Sequence, residues 1–252
     1  MAYTYFISEP FRAYQKQFSK LISDFENQGK VIYDGSRNTV KEIEIAGNNL
    51  NVKAFKVPHF INQLAYRWVR KSKAKRSFEH AETLLSKDIG TPKPVAYVEN
   101  KEGLFLKDSY YFSQQLTYNL TYRTLIDEPH YPDHERILRE FTRFTFKMHE
   151  KEVLFKDHSP GNTLIVNQSG RYEFYLVDLN RMEFRKLTFE ERMKNFDRLT
   201  PKKEMVEIMS DEYAKLSGNT YQIVFDKMWQ YTSEFREKYN RKKALKKKYL
   251  GK

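Results

Sequence analysis

His149-Glu-Lys-Glu-Val-Leu-Phe-Lys-Asp157-His-Ser-Pro-Gly-Asn162-Thr-Leu-Ile-Val166, followed by Tyr175-Leu-Val-Asp178-Leu-Asn-Arg181, decides how the rest of the chain is read. Leu164-Ile-Val166 and Phe174-Tyr-Leu-Val177 are short apolar runs of β-branched and aromatic residues. Asn167-Gln-Ser-Gly170 lies between them, so the pair reads as a β-hairpin. Asp157 and Asn162 fall on a Ser-Pro-Gly loop before the first strand, and Asp178 falls at the end of the second. The hairpin is expected to bring Asp178 back beside Asn162, so that two carboxylates and one amide converge. Such a set suits Mg²⁺, a hard cation that takes a few protein oxygens and completes its shell with phosphate oxygens.

Upstream, three short β-rich runs form a meander: Lys30-Val-Ile-Tyr33, Thr39 to Ile45 and Asn49 to Lys56. Their turns are Asp34-Gly35-Ser36 and Gly47-Asn48-Asn49. A short helix is expected over residues 10–29, ending at Gly29. Residues 59–76 place Phe60, Ile61, Leu64, Ala65, Trp68 and Val69 at helical spacing, with a basic opposite face. That stripe suits either a membrane interface or packing on the sheet. Ser77 to Lys87 continues as helix and stops before Gly90-Thr-Pro92. Strands follow at Pro94 to Glu99 and Ser109 to Leu116. Beyond Thr117 the pattern turns helical, with helices expected over His134 to Lys147, Leu187 to Leu199 and Tyr221 to Tyr239.

The expected fold class is α+β, with a sheet-rich N-terminal lobe over residues 1–116 and a mostly helical lobe over 117–252. At 252 residues the chain suits two lobes sharing a cleft. The absence of cysteine removes disulfide frameworks and thiolate metal sites. The N-terminus lacks a signal-peptide pattern, and no run approaches the roughly 18 apolar residues of a membrane span. These features point to a cytoplasmic protein, peripheral at most. A net charge of +12 calls for a polyanionic partner, such as an anionic membrane face or a phosphorylated glycolipid. Part of that charge is the block Arg241 to Lys248, which also reads as a frayed, solvated tail. No zinc-finger spacing or RNA-binding strand motif accompanies it, which argues against nucleic acid.

The spacing of the opening stretch resembles a protein-kinase catalytic loop, H-R-D-L-x-x-x-N, followed by the metal-binding Asp of D-F-G. The resemblance implies Asp157 as base and Asn162 and Asp178 as metal ligands. The turn Asp34 to Thr39 stands where such a fold covers the nucleotide phosphates, with Ser36 and Arg37 as donors. It carries one Gly instead of three. Lys53, in Leu50-Asn-Val-Lys53, takes the place of the strand lysine that holds the α- and β-phosphates. Lys56 is three residues on and faces the other way. Glu79 is taken as the lysine's helix partner, with Glu82 on the same face left open. Gln115 and Leu116 fall where backbone would meet adenine.

Three stretches narrow the resemblance. They are Ser72 to Ala81 with Gly90-Thr-Pro-Lys-Pro-Val-Ala-Tyr97; Phe155 to Leu164; and Val177-Asp-Leu-Asn-Arg-Met182 with Asn195-Phe-Asp-Arg-Leu199. Together they resemble the bacterial lipopolysaccharide core kinases, the Kdo/heptose kinase family. Membership would imply transfer of phosphate from ATP, with Mg²⁺, to a sugar hydroxyl of the lipid A–core glycolipid at the cytoplasmic membrane face. The chain departs from the kinase pattern at Phe155-Lys156, where kinases have His-Arg, and at Asn180, which replaces the Gly of D-F-G. Lys156 is thereby a candidate to touch the γ-phosphate. The competing class is a pseudokinase or scaffold of the same fold, holding nucleotide or glycolipid without turnover. The sugar, its hydroxyl and the oligomeric state stay open.

Overall fold

A computed structural model describes residues 2–56, 71–102 and 105–250. The chain divides into two compact units, Met1–Thr117 with Asp178–Arg181, and Tyr118–Val177 with Met182–Lys252.

The first unit is built on an antiparallel sheet in the order β1-β5-β6-β4-β3-β2. Its strands are β1 (Ala2–Ile7), β2 (Lys30–Asp34), β3 (Asn38–Ile45), β4 (Asn48–Phe55), β5 (Pro94–Glu102) and β6 (Phe105–Gln114). The β3–β4 hairpin pairs Ile45 with Asn48, so its two-residue turn is Ala46-Gly47, both left-handed as such turns require. Alternation along β4 buries Leu50, Val52 and Ala54 in one cluster with Phe18, Leu21 and Ile22 of helix α1 (Gln15–Ser23). Lys53 faces the other way.

The helix expected over residues 10–29 is shorter, because 3-10 turns flank it at Phe11–Tyr14 and Phe25–Asn27. Two features fix this end. The buried Lys41 ammonium donates to the carbonyls of Phe25, Glu26 and Gln28 at 2.7, 2.8 and 3.1 Å, which satisfies all three of its protons. Gly29 follows with φ +73°, and a Cβ there would lie 2.6 Å from the Glu42 carbonyl oxygen.

Helix α2 (Lys73–Ser86) begins at Ser72, whose hydroxyl accepts from the Lys75 amide at 3.0 Å. Ala74, Ser77, Phe78, Ala81 and Leu84 recur at helical spacing and are buried. Phe78 meets Tyr97 of β5 edge-on at 5.5 Å between ring centroids. Phe60, Trp68 and the rest of the stripe over residues 57–70 lie outside the described residues.

The second unit is mostly helical: α3 (Tyr122–Asp127), α4 (His134–Glu150), α5 (Phe189–Lys194), α6 (Lys203–Ser217) and α7 (Tyr221–Leu250). Two small antiparallel sheets accompany them. One joins β7 (Leu120–Thr121), β9 (Thr163–Gln168) and β10 (Arg171–Leu176); the other joins β8 (Val153–Phe155) and β11 (Met182–Phe184). The core gathers Ile137, Leu138 and Phe141 of α4, Met205, Val206, Met209 and Tyr213 of α6, and Val224 and Met228 of α7. Buried Glu212 is held by Arg143 at 2.6 Å and Arg139 at 3.3 Å, which ties α6 to α4. The helix expected over Leu187 to Leu199 is only α5. It starts in a capping box between Thr188 and Glu191 and stops where Asn195 turns inward. Among the residues of α7 whose burial is described, Thr232 is the last that is buried, and residues 236–248 are exposed throughout.

Candidate active site

In the first unit the Lys53 ammonium lies 2.7 Å from the Asp178 carboxylate, with the side chains 14% and 33% exposed. The two are remote in sequence, and β4 and the return of Asp178–Arg181 to this unit bring them together. Asn180 donates to the same carboxylate oxygen at 2.8 Å. Asp178 is left-handed, φ +60°, a conformation that Asp tolerates better than most residues. Leu179 is buried, and its carbonyl oxygen lies 2.7 Å from His80 Nδ1 on α2. A carbonyl only accepts, so Nδ1 carries the proton. Burial holds His80 below its ordinary value, which keeps the ring neutral.

A second cation, Lys73 in the first turn of α2, lies near this pair. Burial first, then Arg37, lowers its pKa, while Asp178 raises it. Lys53 and Lys73 both approach the ring of Phe55, at 5.5 and 5.7 Å. Lys56, on the opposite strand face, pairs with Asp34 at 3.2 Å. Thr39 donates to Asp34 as well, and these two partners hold its carboxyl below the usual range. Ser36 and Arg37 are exposed in the β2–β3 turn. The Gln115 amide donates to the Asn49 carbonyl at 2.9 Å, and its side chain accepts from Asn51 at 2.9 Å; Leu116 beside it is half-buried. Glu79 does not meet Lys53: it pairs with Lys71 at 2.8 Å. Glu82 is exposed, its carboxyl raised by partial burial and by Glu79.

In the second unit, α4 leads through β8 into the loop that carries Asp157. The loop is closed by its own polar groups. The His158 amide donates to the Phe155 carbonyl at 3.2 Å, and the Asn162 amide to that of Ser159 at 3.0 Å. Asn162 Nδ2 donates to the Asp157 carbonyl at 2.8 Å. The Val177 amide donates to the Asn162 carbonyl at 3.0 Å, which sets the β9–β10 register one residue before Asp178. Lys156 forms an ion pair with Glu183 of β11 and holds that carboxyl below its usual range. Arg198 Nη1 lies 3.4 Å from the Asp157 carboxylate.

Beneath the loop lies a buried network. Asn195 Nδ2 donates to the Phe155 carbonyl at 2.8 Å, and its Oδ1 lies 3.1 Å from His149 Nε2. His149 Nδ1 lies 3.0 Å from the Tyr213 hydroxyl. An amide oxygen only accepts, so Nε2 carries the proton and Nδ1 accepts from Tyr213. Burial pushes His149 down to about 3 and His158 to about 4. His158 packs among the rings of Phe141, Phe155 and Phe196. Where kinases have His-Arg, this chain has Phe155-Lys156, and Asn195 anchors the Phe155 backbone instead.

The donors fit a cation that brings its own ligands. Asn162 spends Nδ2 on the loop, which leaves Oδ1 for a metal. Asp178 receives both hydrogen-bonding partners on Oδ1. Among the described residues no group of three or more His, Asp or Glu side chains could hold a metal. Hard oxygens of this kind, one on each unit, are of the type Mg²⁺ takes, an ion that keeps waters and phosphate oxygens rather than needing a dedicated protein cage.

Sequence reasoning missed Lys73, Asn195 and Arg198. Lys73 had a signal: a lysine in the first turn of a helix opposes the macrodipole and needs another reason to be there. The others had none beyond their place in Asn195-Phe-Asp-Arg-Leu199.

A lysine on β4 paired with the aspartate of Asp178-Leu-Asn, and an Asp–Asn loop locked by its own amide, belong to a protein-kinase-like α+β fold. A solved structure described as WaaP in complex with acyl carrier protein has the same fold. It matches 94% of this chain and 98% of its own, at 15% identity and a TM-score of 0.64. No curated protein sequence matches the chain. The model of the lipopolysaccharide kinase (Kdo/WaaP) family matches residues 33–221. The chain belongs to that family of kinases.

Proposed function

We propose that the chain transfers the γ-phosphoryl group of ATP to a hydroxyl of an inner-core sugar, Kdo or heptose, of the lipid A–core glycolipid. The observation that carries this reading is the 2.7 Å pairing of Lys53 with Asp178. It joins the residue assigned to the α- and β-phosphates to the one assigned to the metal. Lys53 holds the phosphate tail, with Lys73 and Arg37 adding charge, and Ser36 offers a donor from the β2–β3 turn. Adenine meets the backbone at Gln115 and Leu116. Asn162 and Asp178 would hold Mg²⁺, which supplies neutralisation of phosphate charge when bound. Asp157 orients the acceptor hydroxyl and takes its proton as the new O–P bond forms and the bond to the β-phosphate oxygen breaks, releasing ADP.

The acceptor is anchored in a membrane, so the enzyme works at a surface on the cytoplasmic side. No helix among the described residues is long and apolar enough to cross a membrane. The exposed end of α7, residues 236–248, carries Arg236, Lys238, Arg241, Lys242, Lys243, Lys246, Lys247 and Lys248. It offers peripheral attachment to an anionic leaflet. Mass spectrometry of lipid A–core precursors treated with ATP and Mg²⁺ tests the reading. A gain of one phosphate supports it. Nucleotide binding without transfer would favour a scaffold of the same fold.

A further inference from the structure

The turn that carries Asp178 must itself be held before Asp178 can hold a metal. Asp178 is left-handed, φ +60°, although it carries a Cβ. Such a conformation persists where the surroundings enforce it. The carboxylate meets Lys53 at 2.7 Å and Asn180 at 2.8 Å, both on Oδ1. Those contacts orient the side chain. Lys53 is assigned to the nucleotide and Asn180 belongs to the same turn, so neither ties the turn's backbone to the rest of its unit.

Leu179 supplies that tie. Its side chain is buried, and its carbonyl accepts from His80 Nδ1 of α2 at 2.7 Å. The bond pins the peptide plane between Leu179 and Asn180, with Asp178 next to one end of it and the Asp178 partner at the other. The spacing of α2 makes the contact possible. Lys73, Ser77, His80 and Leu84 follow one another at four-, three- and four-residue steps and so share a face. Ser77 and Leu84 of that face are buried. Lys73, two turns before His80, feels the charge of Asp178. One face of α2 therefore reaches both the metal-side carboxylate and the carbonyl of the residue after it. Burial favours the neutral ring, whose one N–H goes to Leu179. The phosphate transfer described above moves no proton through His80.

We infer that His80 is a positioning residue of the metal site, which fixes the Asp178 turn through the Leu179 carbonyl and so sets how much Mg²⁺ tightens the binding of ATP. This rests on the reading of Asp178 as a Mg²⁺ ligand and adds to it a residue of α2.

The test is calorimetric titration of the full chain with ATP, once in Mg²⁺ and once in EDTA. It compares wild type, His80→Leu, His80→Asn, Asp178→Asn and the double variant His80→Leu with Asp178→Asn. Thermal melting checks that each is folded. The ratio of the two affinities is the gain from the metal. Leucine fills the space without a donor, whereas asparagine keeps an N–H bonded to Cγ, where histidine has Nδ1. Groups that orient a metal ligand are worth roughly 10- to 100-fold in metal binding. His80→Leu should cut the gain about 10-fold and leave the affinity in EDTA unchanged. His80→Asn should restore most of the gain. On the Asp178→Asn background, His80→Leu should change nothing more, because it acts through Asp178. An undiminished gain in His80→Leu, a matching loss in EDTA, no recovery in His80→Asn or a further loss in the double variant would each overturn the inference. If His80→Leu does not fold, His80→Ala takes its place; failure of both would make His80 a structural residue and overturn it too. Failure of the underlying reading shows separately. A gain that survives Asp178→Asn, or no gain in wild type, removes Asp178 from the metal site and the inference with it. A gain that depends on His80 without phosphate transfer leaves the positioning role standing and removes the activity.

Discussion

Acid should loosen this protein through two buried histidines under the candidate base. The His149 and His158 side chains are fully buried and are held at about 3 and about 4. In the unfolded chain both titrate near 6.5. A folded value depressed below the unfolded one means that the neutral ring is favoured on folding. The stability it contributes is complete above pH 6.5 and is lost as pH falls toward the folded values. At pH 5 the unfolded chain takes up both protons and the native chain takes almost none, a loss of roughly 2 kcal/mol per ring and about 4 together. Asp197 works the other way. Burial raises its carboxyl to about 6, so protonation favours the folded state and returns roughly 1 kcal/mol over the same interval. The net loss of about 3 kcal/mol should lower the urea midpoint by about 1 M between pH 7.5 and pH 5. His158→Phe offers the rings of Phe141, Phe155 and Phe196 an apolar partner that cannot be protonated. Its midpoint should drop roughly a third as far, because only His149 is left to offset against Asp197. Urea titrations of both proteins at both pH values, followed by far-ultraviolet circular dichroism, make the comparison. An equal acid shift in wild type and variant would refute the reasoning, because it would mean that His158 is not buried as a neutral ring.

Three further outcomes follow from the site. Asp178→Asn should abolish phosphate transfer while leaving the melting temperature within a few degrees of wild type, as read by calorimetry; full activity would remove Asp178 from the metal site. Lys53→Ala should weaken use of ATP strongly and Lys56→Ala far less, because Lys53 meets Asp178 and Lys56 meets Asp34 on the other strand face; equal effects in steady-state kinetics would mean that the phosphate lysine is misassigned. Deleting residues 236–252 should release the protein from anionic vesicles at low salt, since basic residues near such a surface contribute on the order of 1 kcal/mol each; sedimentation with neutral vesicles that retains as much protein would exclude attachment by charge.

The elements legible in the sequence are those whose local signal agrees with their final surroundings. The β9–β10 hairpin carries apolar runs on both sides of Asn167-Gln-Ser-Gly170, and Ser169 and Gly170 adopt the left-handed pair that a tight turn needs. Helix α4 shows its stripe of Ile137, Leu138 and Phe141 directly. The strands β8 and β11 have three residues each, too few for alternation to register. Strand β1 is made by pairing with β5, a partner remote in sequence. Helix α6 is poorly marked although Met205, Val206, Met209 and Tyr213 stand at helical spacing, because its start at Lys202 has no side-chain cap. The stretch from Leu187 to Leu199 reads as one helix by periodicity. The second half is spent otherwise, because Asn195 gives its side chain to Phe155 and His149. Tertiary demand at the loop overrides propensity there.

The candidate site divides along the same line. Asp157, Asn162 and Asp178 can be proposed from the sequence because the chemistry they would do fixes their spacing, and Lys53 because it stands on a strand at the matching place. The partner of Glu79 was not legible, because which ammonium a surface carboxylate takes depends on side-chain placement that no spacing encodes. Arg198 and Asn195 reach the loop from a segment some forty residues away in sequence, so only the fold reveals them.

The most direct test of the account is phosphate transfer by wild type and by Asp157→Asn, side by side. Each would be incubated with ATP, Mg²⁺ and lipid A–core precursor, and the glycolipid weighed by mass spectrometry. The account predicts one added phosphate with wild type and none with a folded Asp157→Asn protein that still binds ATP. An unmodified glycolipid with wild type, or the same added phosphate with Asp157→Asn, would contradict it.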